Sequence, residues 1–143
     1  MPEKSEDDAF YELSCYTTAR ADPQFIHQYV IDAFAAQYAN EKTKTITLIF
    51  ALVGLYLHIE KNFTGKDVQK AHMQLAKHKK LWPKFKLPQY RGNISVYDVI
   101  AAPEGPKRDK VINKWCASVW DAYKENHYQV VSLVKRELWP RKG

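Results

Sequence analysis

The chain has 143 residues, of which 45% are hydrophobic and only five are glycine, and this composition predicts one compact, ordered domain and excludes a disordered protein. The net charge of +6 is uneven, because residues 1–60 carry 4 lysines and arginines against 9 acidic residues, while residues 61–143 carry 18 against 7. The basic part is expected to coat solvent-facing helices, with an acidic partner, nucleic acid or self-association between the two halves as alternatives.

The N-terminus is acidic and carries no secretory signal, and no membrane association is expected. The longest apolar run, Ile46 to Ile59, is shorter than the roughly 20 residues that span a bilayer, so it predicts a buried helix. Cys15 and Cys116 lie far apart and show no metal-ligand spacing. They favour free thiols in a reducing compartment, and thus a cytoplasmic protein.

Three helices are predicted in the first half of the chain. The first runs from about Glu6 to Arg20, with acidic residues in its first turn. The second is predicted to begin at Asp22, as the N-cap before a proline. The third contains the apolar run, with Thr43 or Thr45 as its cap, and ends near Lys61.

In the second half, capping-box patterns at Thr64 and Ser95 start two further helices. Between them, LWPKFKLPQYRGN predicts an extended loop, because it contains two prolines and a glycine. The last helix is predicted to be continuous from about Lys107 to Leu138, with His127 in an apolar stripe of helical period. His72 and His78, which lie among lysines, are expected to face solvent.

The fold class is therefore all-α: a single-domain bundle of five to six helices, with a long proline-containing loop before the last two. The single domain covers residues 1–143, with residues 1–5 flexible and residues 139–143 forming a basic tail. The second, third and last helices are expected to form its core.

Three stretches resemble a bacterial family of small proteins known only as a domain of unknown function. They are HQYVIDAFAAQY (27–38), ALVGLYLHIEK (51–61) and the C-terminal block from WPKF through ISVYDVIAAPE to VINKWCASVWDAYKENH. The family pattern reads H-x4-D-A-[YF]-A-x-Q-H, then H-L-x-G-L-x-L-x-L-E, then V-W-x-A-W-x-x-H-H. The resemblance implies a helical fold and no established activity. The residues that carry it are His27, Asp32, Ala33, Phe34, Gln37, Gly54, Leu55, Leu57, Glu60, Trp115, Val119, Trp120, Ala122 and His127.

The histidines of the pattern imply a metal or acid/base site inside the bundle. This chain has Tyr38, Ala51 and Asn126 where the pattern has histidines, so only His27 and His127 remain. We therefore expect a polar core built from His27, Tyr38 and His127, with the imidazole of His127 hydrogen-bonded to a neighbour such as Tyr38.

A divalent metal held by His27, His58 and His127 is the alternative, although no cofactor is expected. Asp32 or Glu60 could serve as a further ligand. However, five helical residues separate Asp32 from His27, which places the two side chains about 140° apart around the helix axis.

The segment KHKKLWPKFKLPQYRG interleaves basic and aromatic residues, a pattern that can hold phosphates and stack bases. Its aromatic residues are expected instead to pin the loop to the bundle. The candidate partner-binding residues are Lys79, Lys80, Trp82, Lys84, Lys86 and Arg91.

Three functions stay open on the sequence alone. The first is a helical domain without catalysis. The second is a metal-dependent or acid/base enzyme with its site between the second, third and last helices. The third is a binder of nucleic acid or an acidic partner through residues 66–91 and the C-terminus.

Overall fold

The computed structural model describes residues 4–77 and 82–139. Within these ranges the chain forms helices joined by turns and loops, and it forms no strand. Seven α-helices lie in the described part, where five to six were predicted. They are α1 (Glu6–Thr18), α2 (His27–Gln37), α3 (Thr45–Lys61), α4 (Gly65–Ala76), α5 (Val96–Ala101), α6 (Pro106–Ala122) and α7 (His127–Glu137), with a 3-10 turn over Lys124–Asn126. None of the helices in these ranges has the length and apolarity needed to cross a membrane.

The predicted core is confirmed, because α2 packs against both α3 and α6, and α3 also packs against α6. Its largest fully buried side chains include Trp115 and Tyr123. On α2, Val30, Ala33 and Gln37 are buried. Helical periodicity in the sequence therefore located the central layer correctly.

The predicted start of α2 at Asp22 is wrong. The Asp22 carboxylate accepts hydrogen bonds from the backbone N–H groups of Gln24 at 3.1 Å and Ile26 at 2.7 Å. Phe25 adopts a left-handed φ of 58°, which closes this segment into a tight turn. The aspartate thus caps a turn, and α2 begins only at His27.

The caps of the later helices divide into one wrong prediction and two confirmed ones. At α3, Lys44 occupies the N-cap without a side-chain bond, so neither predicted threonine caps it. The capping boxes at Thr64 and Ser95 are both present, each with the aspartate three residues later bonded back to the cap. Capping boxes can be predicted from the sequence, because the two residues that bond to each other lie within four positions.

The predicted continuous last helix is wrong, since the chain leaves the α-helix between α6 and α7. Asn126 lies at this break with only 3% of its surface exposed. Its Oδ1 accepts from the backbone N–H of Lys86 at 2.9 Å, and its Nδ2 donates to the carbonyl of Lys86 at 2.8 Å. The break lets one buried amide satisfy both backbone groups of a residue in the loop.

The proline-containing loop is confirmed for the residues described, because 82–94 contains no helix. With the last helix broken, three helices follow it where two were predicted. Besides Asn126, the hydroxyl of Ser118 holds the loop by accepting from the backbone N–H of Asn93 at 2.9 Å.

Replacing Asn126 with alanine should lower the free energy of unfolding by about 1–3 kcal/mol, because both backbone groups of Lys86 lose their partner. Urea denaturation checks this, with the exposed Gln69→Ala as the control for an amide without such contacts. A loss no larger than that of the control would contradict the role given to Asn126.

Candidate functional site

His127 stands at the first turn of α7 and contacts Trp120. Its ring stacks on the indole with centroids 3.7 Å apart, and its Nε2 lies 2.7 Å from the Trp120 carbonyl oxygen. Because a carbonyl only accepts, Nε2 carries the hydrogen and donates it. The imidazole therefore supplies a donor to the C-terminal end of α6, where the helix stops providing backbone N–H groups.

His27 and Tyr38 have other neighbours. Nδ1 of His27 lies 2.8 Å from the hydroxyl of Thr17, and burial lowers the pKa of the imidazole. The ring of Tyr38 packs against Phe34 with centroids 4.8 Å apart. In the described ranges His127 makes no hydrogen bond to Tyr38 or His27, so the structure does not bring the expected polar core together.

His58 contacts Tyr29 and Asn113. Its ring stacks on Tyr29 at a centroid distance of 3.4 Å, and its Nε2 lies 3.1 Å from Oδ1 of Asn113. Burial lowers the pKa of His58 to about 4. Across residues 4–77 and 82–139, no three His, Cys, Asp or Glu side chains are grouped so that they could hold a metal ion. The three candidate ligands His27, His58 and His127 are therefore not brought together.

Arg91, predicted to bind a partner, binds the end of α2 within the same chain. Its Nη1 donates to the carbonyl oxygens of Ala36, Gln37 and Ala39 at 3.2, 3.1 and 2.8 Å. Its guanidinium also lies over the ring of Tyr123, with 5.7 Å between the guanidinium carbon and the ring centroid. A cation on the last carbonyls of a helix compensates their partial negative charge, so Arg91 has a structural task.

The other candidate partner-binding residues differ in exposure. Trp82 is half-buried against the core, which agrees with a loop pinned by its aromatic residues. Lys84 is exposed, and the exposed Lys86 has its amine 3.7 Å from the Glu125 carboxylate. Lys79 and Lys80 lie outside the described residues, as does His78. Partner binding by this segment stays a prediction.

The residues that carry the family resemblance pair with one another between helices. Trp115 donates its indole N–H to Oε1 of Gln37 at 2.8 Å, in the core between α6 and α2. Trp120 donates to Oε2 of Glu60 at 2.6 Å, which joins α6 to α3. Gln37 and Glu60 thus supply the hydrogen-bond acceptors that the indole N–H groups of buried tryptophans require.

Asp32 and Gly54 form the third such pair, and it differs from the others. Asp32 is 3% exposed, and its Oδ1 accepts from Nε2 of Gln28 at 3.2 Å. Its Oδ2 has no hydrogen-bond partner among the described residues. A Cβ placed on Gly54 would lie 1.9 Å from this oxygen, so α3 needs glycine there to let the carboxyl fit. An unpaired buried oxygen of this kind requires an explanation.

Burial raises the pKa of Asp32 well above its ordinary value of about 3.8, and the hydrogen bond from Gln28 opposes this only in part. A carboxyl group removed from water favours its neutral form. The thiol of Cys116 on α6 faces the same region, and burial raises its pKa too. Burial therefore disfavours the charged form of both groups.

Asp32 lines a cleft of about 330 Å³ that opens between α2, α3 and α4. The cleft is mainly apolar, and its polar lining consists of Gln28, Asp32, Thr47 and His72. The apolar lining residues are Ile31, Ala35, Ile46, Phe50 and Ala51. An apolar cleft with a few convergent polar groups is the usual form of a small-molecule site.

His72 belongs to this cleft, and the expectation that it faces solvent is wrong. It is half-buried, and its Nε2 donates to the Phe50 carbonyl oxygen at 2.7 Å. Burial lowers its pKa, which favours the neutral imidazole. The signal was present in the sequence, since His72 lies four residues after Val68 and three before Leu75, both buried.

Gly54→Ala should destabilise the protein by about 1–3 kcal/mol, because the added methyl group overpacks the Asp32 carboxyl. The cost should fall by at least about 1 kcal/mol when the same change is made in an Asp32→Ala background, where the space is free. Urea denaturation of the four proteins measures both costs. Equal costs in the two backgrounds would show that Asp32 does not oppose the added methyl.

Asp32→Asn should change how stability depends on pH. As pH rises above about 4, the unfolded chain loses the Asp32 proton while the folded chain keeps it, so the wild type loses up to about 1.4 kcal/mol of stability per pH unit until the folded pKa is passed. The variant lacks this loss. Free energies of unfolding at pH 5, 6 and 7 should show a difference that grows with pH in favour of the variant, with the exposed Asp121→Asn as control.

Comparisons with known proteins give one match. Searches of the curated proteins and of the solved structures found no match. A family model, described as a family of unknown function (DUF5946), matches residues 5–124, which cover α1 to α6 and the Asp32 cleft. The chain therefore belongs to this family of unknown function, DUF5946.

Proposed function

We propose that this domain binds a small, mainly apolar molecule in the cleft between α2, α3 and α4, and that it acts by binding, without catalysis. The observation that carries the proposal is the mainly apolar cleft of about 330 Å³, whose lining includes the buried Asp32. A hydrocarbon group bound there would cover the exposed side chains of Ile31 and Ile46 and so remove apolar surface from water.

The contacts of the histidines support a structural role for them. His72 and His127 each donate Nε2–H to a main-chain carbonyl oxygen, on α3 and α6 respectively. His58 is stacked on Tyr29, and its lowered pKa of about 4 keeps it neutral near pH 7. An imidazole that serves as an acid or base titrates near the working pH and has a nitrogen available for substrate.

The cysteines support a reducing location such as the cytoplasm. Cys15 is exposed and Cys116 is buried, and both are free thiols. The Sγ of Cys116 lies 3.6 Å from the Tyr29 carbonyl oxygen, as a weak donor within the core.

Small neutral probes such as benzyl alcohol should bind the cleft and shift the NMR methyl signals of Ile31, Ile46 and Ala35 in a saturable way. Thr47→Trp, at an exposed position of α3 on the cleft, should weaken this binding at least tenfold by filling the space. Ala117→Trp adds the same side chain at an exposed position of α6 away from the cleft and should leave it unchanged. Shifts that persist in the Thr47 variant would place the probe elsewhere.

A further inference from the structure

We propose that this protein also binds single-stranded nucleic acid, on a surface formed by residues 84–89 of the proline-containing loop and the segment that joins α6 to α7. This loop surface carries the exposed lysines Lys84, Lys86 and Lys124 and the exposed Tyr128. It shares no residue with the cleft between α2, α3 and α4, so this proposal is independent of the function proposed for that cleft.

The loop surface contains two clefts, with volumes of about 530 and 290 Å³. Lys86, Glu125 and Asn126 line both of them, so the clefts adjoin at these residues. Lys84 and Tyr128 belong to the larger cleft, and Lys124 belongs to the smaller one. Together the clefts form a groove with lysines along its length, which is the form in which proteins follow the backbone of a single strand.

The charge of the loop surface is complementary to that of a phosphate backbone. Among the described residues that line the two clefts, three are lysines and one is acidic. The acidic residue, Glu125, has its carboxylate 3.7 Å from the amine of Lys86, and the two side chains are 72% and 82% exposed. An exposed ion pair of this kind contributes little to stability, so the amine of Lys86 is available to a phosphate.

Buried contacts hold the lysines of the loop in place before any ligand binds. Phe85 is 7% exposed between Lys84 and Lys86, so its ring anchors the loop while both lysines remain exposed. Asn126 fixes the backbone of Lys86 through its two hydrogen bonds. Binding therefore orders side chains and leaves the backbone as it is, which lowers its entropic cost.

Tyr128 favours nucleic acid over an acidic protein as the partner. It is 82% exposed on the first turn of α7, and it lines the same cleft as Lys84 and Lys86. A nucleobase stacked on the ring would remove its apolar face from water while the neighbouring phosphates contact the lysines. The aspartate and glutamate side chains of an acidic protein have no aromatic face to stack there.

Fluorescence anisotropy with a labelled thymidine oligonucleotide of about 12 nucleotides tests the lysines. Lys84→Ala, Lys86→Ala and Lys124→Ala should each weaken binding and reduce the slope of log K against log salt by about 0.7. The control is Lys110→Ala, which removes an exposed lysine of α6 twelve residues before Ala122. It lies about 18 Å away along the helix, beyond the Debye length of about 8 Å at physiological ionic strength, so it should leave the affinity unchanged.

An abasic strand of the same length tests Tyr128. Tyr128→Ala should weaken binding of the thymidine strand at least about fivefold and leave binding of the abasic strand unchanged, because only bases stack on the ring. A uridine strand of the same length adds the 2′-hydroxyl, and tighter binding of either strand supports the proposal and identifies RNA or DNA as the ligand.

Three results would overturn the proposal. If the thymidine strand does not bind even at low salt, the surface does not hold nucleic acid. If the three lysine variants bind like the Lys110 control, the strand lies elsewhere on the protein. If a polyglutamate peptide binds as tightly as the thymidine strand, or if Tyr128→Ala weakens the abasic strand equally, the surface recognises negative charge alone and an acidic protein is the better partner.

Discussion

The close contact between Asp32 of α2 and Gly54 of α3 sets the arrangement of the central helices. The carboxyl lies where any side chain at position 54 would lie, so the two helices approach only because α3 carries glycine at this point. The core helix α6 then packs on both and brings Cys116 near the carboxyl. A carboxyl at such a site favours its neutral form, since a charge without a partner would be far more costly there than an uncharged polar group.

Much of the fold could be predicted from the sequence, wherever the deciding contacts are local. The apolar periodicity located α2, α3 and α6, and two reciprocal capping boxes located α4 and α5, because these signals lie within one or two turns. The break between α6 and α7 depends on Asn126 and Lys86, which are 40 residues apart. A stripe of apolar residues cannot reveal such a contact, so the sequence predicted one long helix.

The candidate site was only partly predictable. The resemblance included Asp32, Gly54, Gln37 and Trp115, but a sequence pattern does not say which of these residues touch. The histidines predicted a site because imidazoles often bind metals, whereas Asp32 lies about 140° from His27 around the helix axis and so did not fit a shared site. The structure pairs Asp32 with α3 instead, and the cleft beside it is formed by three helices whose relative positions no single segment encodes.

The loop over residues 82–94 has a consequence for how the chain folds. Through Arg91 it holds the carbonyl end of α2, 52 to 55 residues earlier in the chain, and Tyr123 bonds the same end from a distance of 87 residues. Helical bundles usually fold fast because most of their contacts are local. Here the carbonyl oxygens at the end of α2 can bond Arg91 and Tyr123 only after loops of 52 to 87 residues have closed. This protein should therefore fold more slowly than its helix content suggests.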